Sequence, residues 1–213
     1  MIGVYTKNVD GVWFGVACDE QRVFGTSFAT SEREALRSIL DSIPFNVPFQ
    51  VFSEPSAFAE ENLVSVKSVY DGKNVSKNYS LAAEHLPAYT RRVLEVASLI
   101  PVGYVTSYGS IAKAAGGAPR AVGNVMARNP FAPIVPCHRV VSADLTLGGY
   151  GGGLDVKIEI LKREKRGYKT RREISVGSKK LQVFPVEFVL EKLRKEKCLI
   201  DSRSFDLALS YIG

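Results

Sequence analysis

Proline and glycine cut the middle of this chain into short pieces, so no long helix can run through it. Pro87, Pro101, the pair Gly116-Gly117 and Pro119 come first, and PIVPCHRVVS, residues 133–142, then sets a cysteine between Pro136 and His138. Proline lacks an amide hydrogen and clashes with the preceding turn, so a helix must begin or end near each of these. AYTRRVLEVASLIP therefore reads as a helix closed by Pro101, with Val93, Leu94, Ala97 and Ile100 as its apolar stripe. YVTSYGSIAKAAGGAPRAVGNVMARNP reads as a short helix opening near Ser107, a Gly-Gly break, and a second helix with Pro119 in its first turn. This is a helix-turn-helix pattern.

The flanking segments differ in character. Residues 1–29 read as a meander of strands, with VWFGVAC and QRVFGTSFA on either side of a polar Asp-Glu turn. SEREALRSILDSI is a helix capped by Thr30 or Ser31, with Ala35, Leu36, Ile39, Leu40 and Ile43 at helical spacing before Pro44. Residues 45–86 show no period that assigns them. Downstream, VKIEILKREK is a helix expected to be capped by Asp155, EISVGSKKLQVFP a hairpin around Gly177-Ser178, and PVEFVLEKLRKEKCLI an amphipathic helix. The expected organisation is a small α/β domain over 1–80, a helical domain over 81–169, and an extension over 170–213 that packs on the preceding domain or on a second copy.

Of the 213 residues 46% are apolar and 23% charged, a globular balance. With no leader pattern and no apolar run of membrane-spanning length, the expected compartment is the cytoplasm, or the nucleus of a eukaryote. Cys18, Cys137 and Cys198 are an odd number in no CxxC pattern, and the only histidines are His85 and His138, so neither a disulfide framework nor a metal site is expected. Asn74-Val75-Ser76 and Asn78-Tyr79-Ser80 match the glycosylation pattern by chance in a chain without a secretion signal. The net charge of +6 is uneven: by segment it is −4 over 1–86, +7 over 87–169 and +3 over 170–213. A basic half suits a polyanion, and nucleic acid fits better than membrane because no basic amphipathic helix with exposed aromatics stands out.

Two stretches invite a ligand. In the second helix Ala118, Ala121, Gly123 and Ala127 leave a nearly bare surface from which Arg120 and Asn124 project on one face, while Val122, Val125 and Met126 supply the only apolar stripe. LGGYGGGLDV, residues 147–156, has neither a Walker lysine nor Rossmann spacing, and reads instead as a pocket wall in which Tyr150 stacks on a flat ligand.

Cys137 reacts only as a thiolate, which at an ordinary pKa of about 8.5 is scarce at neutral pH. His138 is the available base. Neighbours in an extended chain point apart, so the pair meets only in a turn or through a bridging water, and Pro136 favours such a turn. Glu164 and Asp155 are the candidates to orient the imidazole. A lone cysteine is by default a buried, inert one.

The context changes that default. TSYGSIA, PRAVGNVMARNP, PIVPCHRVV and GGYGGGLDVKIEILKRE, in this order over residues 88–166, resemble the O6-alkylguanine-DNA alkyltransferases, whose active-site signature is PCHRV, here residues 136–140. The resemblance implies a ribonuclease H-like N-terminal α/β domain with a small antiparallel sheet and a helix. A mostly α, winged helix-turn-helix-like C-terminal domain follows, and the segment after about residue 170 extends beyond the shorter members. It implies a single-use transfer in which Cys137 takes the alkyl group from O6 of a flipped guanine, without a cofactor. His138 then takes the thiol proton through a water, Glu164 holds the imidazole, Tyr108 protonates the departing base and Asn129 braces the turn. Arg120 fills the gap left by the flipped nucleotide, Met126 and Tyr150 line the base pocket, and Ala121, Gly123, Asn124, Gly151, Arg139 and Val140 complete the DNA and pocket set.

The implied partner is duplex DNA carrying O6-alkylguanine, bound through the minor groove without strong sequence preference; the helix-turn-helix pattern alone points to the major groove. Self-association through the extension is the other partner expectation. Gly151 departs from the many members that have a hydroxyl residue there, and Cys18, alone in its domain, does not reproduce the zinc site of some relatives. Three competing readings are a lesion sensor without chemistry, against which Cys137 argues, a sequence-selective winged-helix regulator, and a cysteine hydrolase, which leaves the bare helix unexplained.

Overall fold

The computed structural model describes residues 1–75 and 79–196. The end of the amphipathic helix expected through residue 200, Cys198, and parts of both glycosylation triplets lie outside the described residues.

The N-terminal part is built on strands β1 (Ile2–Val9), β2 (Val12–Cys18), β3 (Val23–Ala29) and β4 (Phe49–Val51), in the order β3-β2-β1-β4. Asp10 and Gly11 join β1 to β2, both at positive φ (54° and 81°), as a two-residue hairpin turn requires. The sheet is not purely antiparallel as expected: β4 runs parallel to β1, because helix α1 (Glu32–Leu40) carries the chain back before it pairs. Ser31 caps α1 by accepting from Glu34 N–H, and Asp41 closes it, so Ile43 lies beyond the helix. The segment without a readable period contains β4 and a 14-residue helix, α2 (Ala57–Tyr70), capped by Ser56.

Both faces of this sheet are covered, which explains why the run VWFGVAC is apolar at nearly every position. Phe14, Val16 and Cys18 pack with Ala59, Leu63 and Val66 of α2, whereas Val4, Ala17 and Phe24 pack with Ile39 of α1. Gly15 admits that second helix, since a Cβ there would stand 2.2 Å from Ile39 Cδ1.

The C-terminal part begins with α3 (Ala88–Ser98), whose Val93, Leu94, Val96 and Ala97 are buried. Strand β5 (Tyr104–Ser107) follows, then α4 (Tyr108–Ala115), N-capped by Ser107, and α5 (Pro119–Ala127) with proline in its first turn. Gly116 and Gly117, at φ 88° and 93°, make the turn between the two helices. A 3-10 turn (Cys137–Arg139), β6 (Val140–Val141) and α6 (Leu154–Arg163) come next, then β7 (Arg172–Val176), β8 (Lys179–Pro185) and α7, residues 186–196.

The hairpin joins the domain rather than standing apart from it. The second sheet has the order β6-β5-β8-β7, with β8 antiparallel to β5, so hydrogen bonds link residues on both sides of the division expected at 170. Leu181 and Val183 enter the core of α3, α4 and α5, and Val186 and Val189 of α7 close a second cluster with Val105, Val141, Leu147 and Leu161.

Candidate active site

The proline-bracketed segment folds as the single turn Cys137–Arg139, in which Cys137, His138 and Arg139 are all buried. Asn129 braces its approach: the side-chain amide donates to the Val135 carbonyl (2.7 Å) and its oxygen accepts from Phe131 N–H (3.1 Å). The same loop is tied to the N-terminal sheet, where Thr26 donates its amide to the Pro130 carbonyl (2.9 Å) and its hydroxyl to the Ala132 carbonyl (2.9 Å).

His138 and Glu164 have no exposed side-chain surface and meet at 2.9 Å, Nε2 to Oε1. Arg139 grips the same carboxylate, with Nε 3.0 Å from both oxygens and Nη2 2.8 Å from Oε1, while its Nη1 donates to the Ile100 carbonyl (2.6 Å). Burial pushes the Glu164 carboxyl up, but the charge of Arg139 and the hydrogen bonds from His138 and Arg139 outweigh it and hold the group at about 2. An ionised carboxylate only accepts, so the proton of the neutral imidazole sits on Nε2. Burial, partly offset by Glu164, lowers the His138 pKa and keeps the ring neutral. Nδ1 is thereby left as a lone-pair acceptor, and it is buried without a hydrogen-bond partner.

Burial also pushes the Cys137 thiol up, opposed by hydrogen bonds from Asn129 and the turn backbone and by the charge of Lys157. The resting group is therefore a thiol, and ionisation has to accompany attack. Lys157 is fully buried, its ammonium 2.7 Å from the Val140 carbonyl and 2.5 Å from that of Leu147, and burial pulls it down to about 8.

Cys137 opens on two spaces. One, of about 710 Å³, is lined by Tyr108, Arg120, Gly123, Asn124, Met126 and the 148–151 loop, enough room for a nucleobase. The other, about 410 Å³, reaches the N-terminal domain at Phe28 and Tyr70. Tyr150 and Met126 border both. Burial raises the Tyr150 hydroxyl well above its ordinary value, and Cys137 adds to this. Tyr108 opens α4 with its hydroxyl on the Gly149 carbonyl (3.3 Å), and burial raises its pKa as well. Arg120 and Asn124 are exposed on α5, with Ala121 and Gly123 half-buried.

Three expectations change. Arg139, 6% exposed and committed to Glu164, is buried in an ion pair and has no free surface to offer DNA. Val140 is a core residue whose carbonyl is turned to Lys157. Asp155 neither orients His138 nor caps α6; it is exposed in the first turn, and Gly153, without a side-chain cap, holds the N-cap position. Lys157 was missed, although a lysine at the position that shares one helical stripe with Ile160 and Leu161 was its signal. Among the described residues no group of three His, Cys, Asp or Glu side chains is placed to hold a metal ion.

Residues 88–166 match the family model for the DNA-binding domain of 6-O-methylguanine DNA methyltransferase. The methylated-DNA–protein-cysteine methyltransferase of Thermococcus gammatolerans is 36% identical over 171 residues, which cover 77% of this chain and 96% of that protein. This chain belongs to the methylated-DNA–protein-cysteine methyltransferase family. Other alignments within the family are shorter: the Methanothermobacter thermautotrophicus member is 39% identical over 113 residues, 53% of this chain and 64% of its own length. The chain likewise spans 56% of the Methanocaldococcus jannaschii member and 44% of that of Pyrobaculum aerophilum. Among solved members, the O6-methylguanine-DNA methyltransferase of Pyrococcus kodakaraensis superposes with a TM-score of 0.59 at 30% identity, covering 77% of this chain and 99% of that one. A Mycobacterium tuberculosis enzyme solved in complex with DNA gives 0.60 at 27% identity, covering 76% and 92%. Among the described residues no helix is long and apolar enough to cross a membrane.

Proposed function

We propose that the protein repairs O6-alkylguanine in duplex DNA by moving the alkyl group irreversibly onto Cys137. The observation that carries this is the state of His138: Nε2 is tied to an ionised Glu164, and Nδ1 is a buried, unpartnered acceptor one residue from a thiol that faces a base-sized pocket. As the S–C bond forms and the C–O6 bond breaks, the thiol proton passes to His138 Nδ1 through a water. The leaving guanine takes a proton from Tyr108, so negative charge does not accumulate on the base. Asn129 holds the turn, and Lys157 holds the pocket loop to β6 while its charge favours the thiolate. Arg139 keeps Glu164 ionised. The thioether product is stable and nothing regenerates the thiol, so one protein performs one transfer, without a cofactor.

For the target to reach Cys137 it must leave the stack, at a cost of a few kcal/mol that pocket contacts and Arg120 in the vacated space offset. The small residues of α5 suit close approach in the minor groove, and contacts to phosphates rather than to base edges suit a lesion that arises anywhere. The order β3-β2-β1-β4 with a parallel β4 supports the ribonuclease H-like reading of the N-terminal domain. Helices α4 and α5 with the β7–β8 hairpin support the winged helix-turn-helix reading of the other. We place the activity in the cytoplasm, or the nucleus of a eukaryote.

The test is the intact mass of the protein, and then of its peptides, after mixing with a duplex containing one O6-methylguanine. A single methyl in place of the thiol hydrogen, on the peptide with Cys137 and without further turnover, is the expected result. An unmodified chain that nevertheless binds the lesion tightly would make it a sensor.

A further inference from the structure

The hairpin of β7 and β8 is fixed at both ends. Its inner face, Ile174, Val176, Leu181 and Val183, packs on the core shared by α3, α4 and α5, and Pro185 and Phe184 pair with Tyr104 and Val105 of β5. Its turn, Gly177-Ser178, therefore stands in a set place beside the end of α4. There Lys179 Nζ donates to the Ala114 carbonyl (3.3 Å), and Arg92 of α3 donates from Nε to the Ala115 carbonyl (3.4 Å). Lys113 lies exposed in the last turn of α4, and Lys180 keeps 69% of its side chain exposed while pairing with Glu173, which is 47% exposed (2.7 Å). Arg92, Lys113 and Lys179, from three separate stretches of sequence, thus gather at the end of α4, while Lys180 stands on the outer face of β8.

Residues 117–120, all exposed, run directly from that turn into α5 and end at Arg120, which lines the nucleotide pocket. The five residue-to-residue steps from Ala115 to Arg120 span at most about 18 Å. A duplex lying on α5 carries one phosphate charge per about 1.7 Å of axis, so it presents several charges over that distance. The carbonyls at the end of α4 use one donor each from Lys179 and Arg92 and hold those heads at the turn. The other N–H groups stay available, so little side-chain entropy is lost on contact.

We propose that the β7–β8 turn, with Arg92 and Lys113, is a second docking surface for the phosphate backbone of DNA, beside α5 and separate from the lesion pocket. This rests on the reading of duplex DNA as the partner. It gives the hairpin a role in holding undamaged as well as damaged duplex, with no part in the chemistry.

The experiment uses the full chain and an undamaged 20-base-pair duplex, with affinity measured by fluorescence anisotropy across a series of salt concentrations. Lys113→Ala/Lys179→Ala should lower the slope of log K against log salt by about 1.8, at about 0.9 per lost phosphate contact, with an unchanged melting temperature. Lys113→Arg/Lys179→Arg should keep the wild-type slope. An unchanged slope in the alanine variant overturns the proposal. So does a slope that falls only together with a concentration-dependent change in sedimentation, which would mean that the acidic N-terminal part of a second copy is what the patch receives. Wild-type chain that takes up methyl from the lesion while the alanine variant keeps its salt slope sinks the hairpin contact alone; wild-type chain that neither binds duplex nor takes up methyl sinks both.

Discussion

Replacing Glu164 by glutamine tests the electrostatic logic of the site most directly. The carboxylate is held at about 2 against an ordinary value near 4.5, a difference worth about 3 kcal/mol of stability. Because the folded-state pKa is depressed, that stabilisation is fully present above pH 4.5 and is lost as the pH falls towards 2. At neutral pH the variant should be less stable than wild type by about 3–5 kcal/mol, since Arg139 keeps its charge in a buried position with no carboxylate opposite. Urea unfolding followed by circular dichroism at steps from pH 7 to pH 2.5 reads both quantities. The gap between the two proteins should close by about 3 kcal/mol over the acid limb, as wild type loses what the variant never had. A gap that is independent of pH would refute the claim that His138 and Arg139 keep Glu164 ionised. Transfer should slow in the same variant, because an amide at 164 can also donate and no longer confines the imidazole proton to Nε2.

Cys137→Ala should abolish methyl uptake in the mass assay yet retain binding to a duplex with O6-methylguanine, measured by anisotropy. Lys157→Met strands the Val140 and Leu147 carbonyls in the interior; at about 1–3 kcal/mol for each buried group left unpaired, the unfolding free energy from urea titration should fall by about 2–6 kcal/mol. Tyr108→Phe should slow single-turnover transfer without lowering the melting temperature, and an unchanged rate would remove its role as proton donor. Gly151→Ser places a hydroxyl beside Tyr150, where an added Cβ meets nothing within 4 Å, so it should fold normally and shift the ratio of transfer rates between O6-methylguanine and a bulkier O6-alkylguanine.

Much of the C-terminal part was legible because its elements are closed by residues with fixed backbone demands. Pro101, the Gly116-Gly117 turn and Pro119 bound α3, α4 and α5 in the structure where the sequence places their breaks. Elements fixed by tertiary packing were not readable. Helix α2 is buried at Ala59, Asn62, Leu63, Ser65, Val66 and Val69, and the polar members of that stripe break the apolar period. Strand β4 has three exposed residues and exists because β1 offers it an edge. Within the site, residue types pair Cys137 with His138 but leave Glu164 and Asp155 as alternatives for the orienting carboxylate, and it is the resemblance to the alkyltransferases that singles out Glu164. The placement of Arg139 could not be read, because a basic residue behind the reactive turn reads as a DNA contact until Glu164 is seen to occupy its guanidinium. The second sheet was missed because β5 is a four-residue strand whose antiparallel partner arrives some 80 positions later.

The two hydrogen bonds from Thr26 reach 104 and 106 residues along the chain to hold the loop that aims Cys137. The two halves of the molecule are therefore not interchangeable parts. A graft of the C-terminal portion onto a foreign sheet would carry every reactive group and still lack the template on which the loop is set. Any drift in β3 has to be answered in residues 130–132 for the thiol to keep its aim, so the reactivity of Cys137 is inherited jointly with a strand that bears no reactive group of its own.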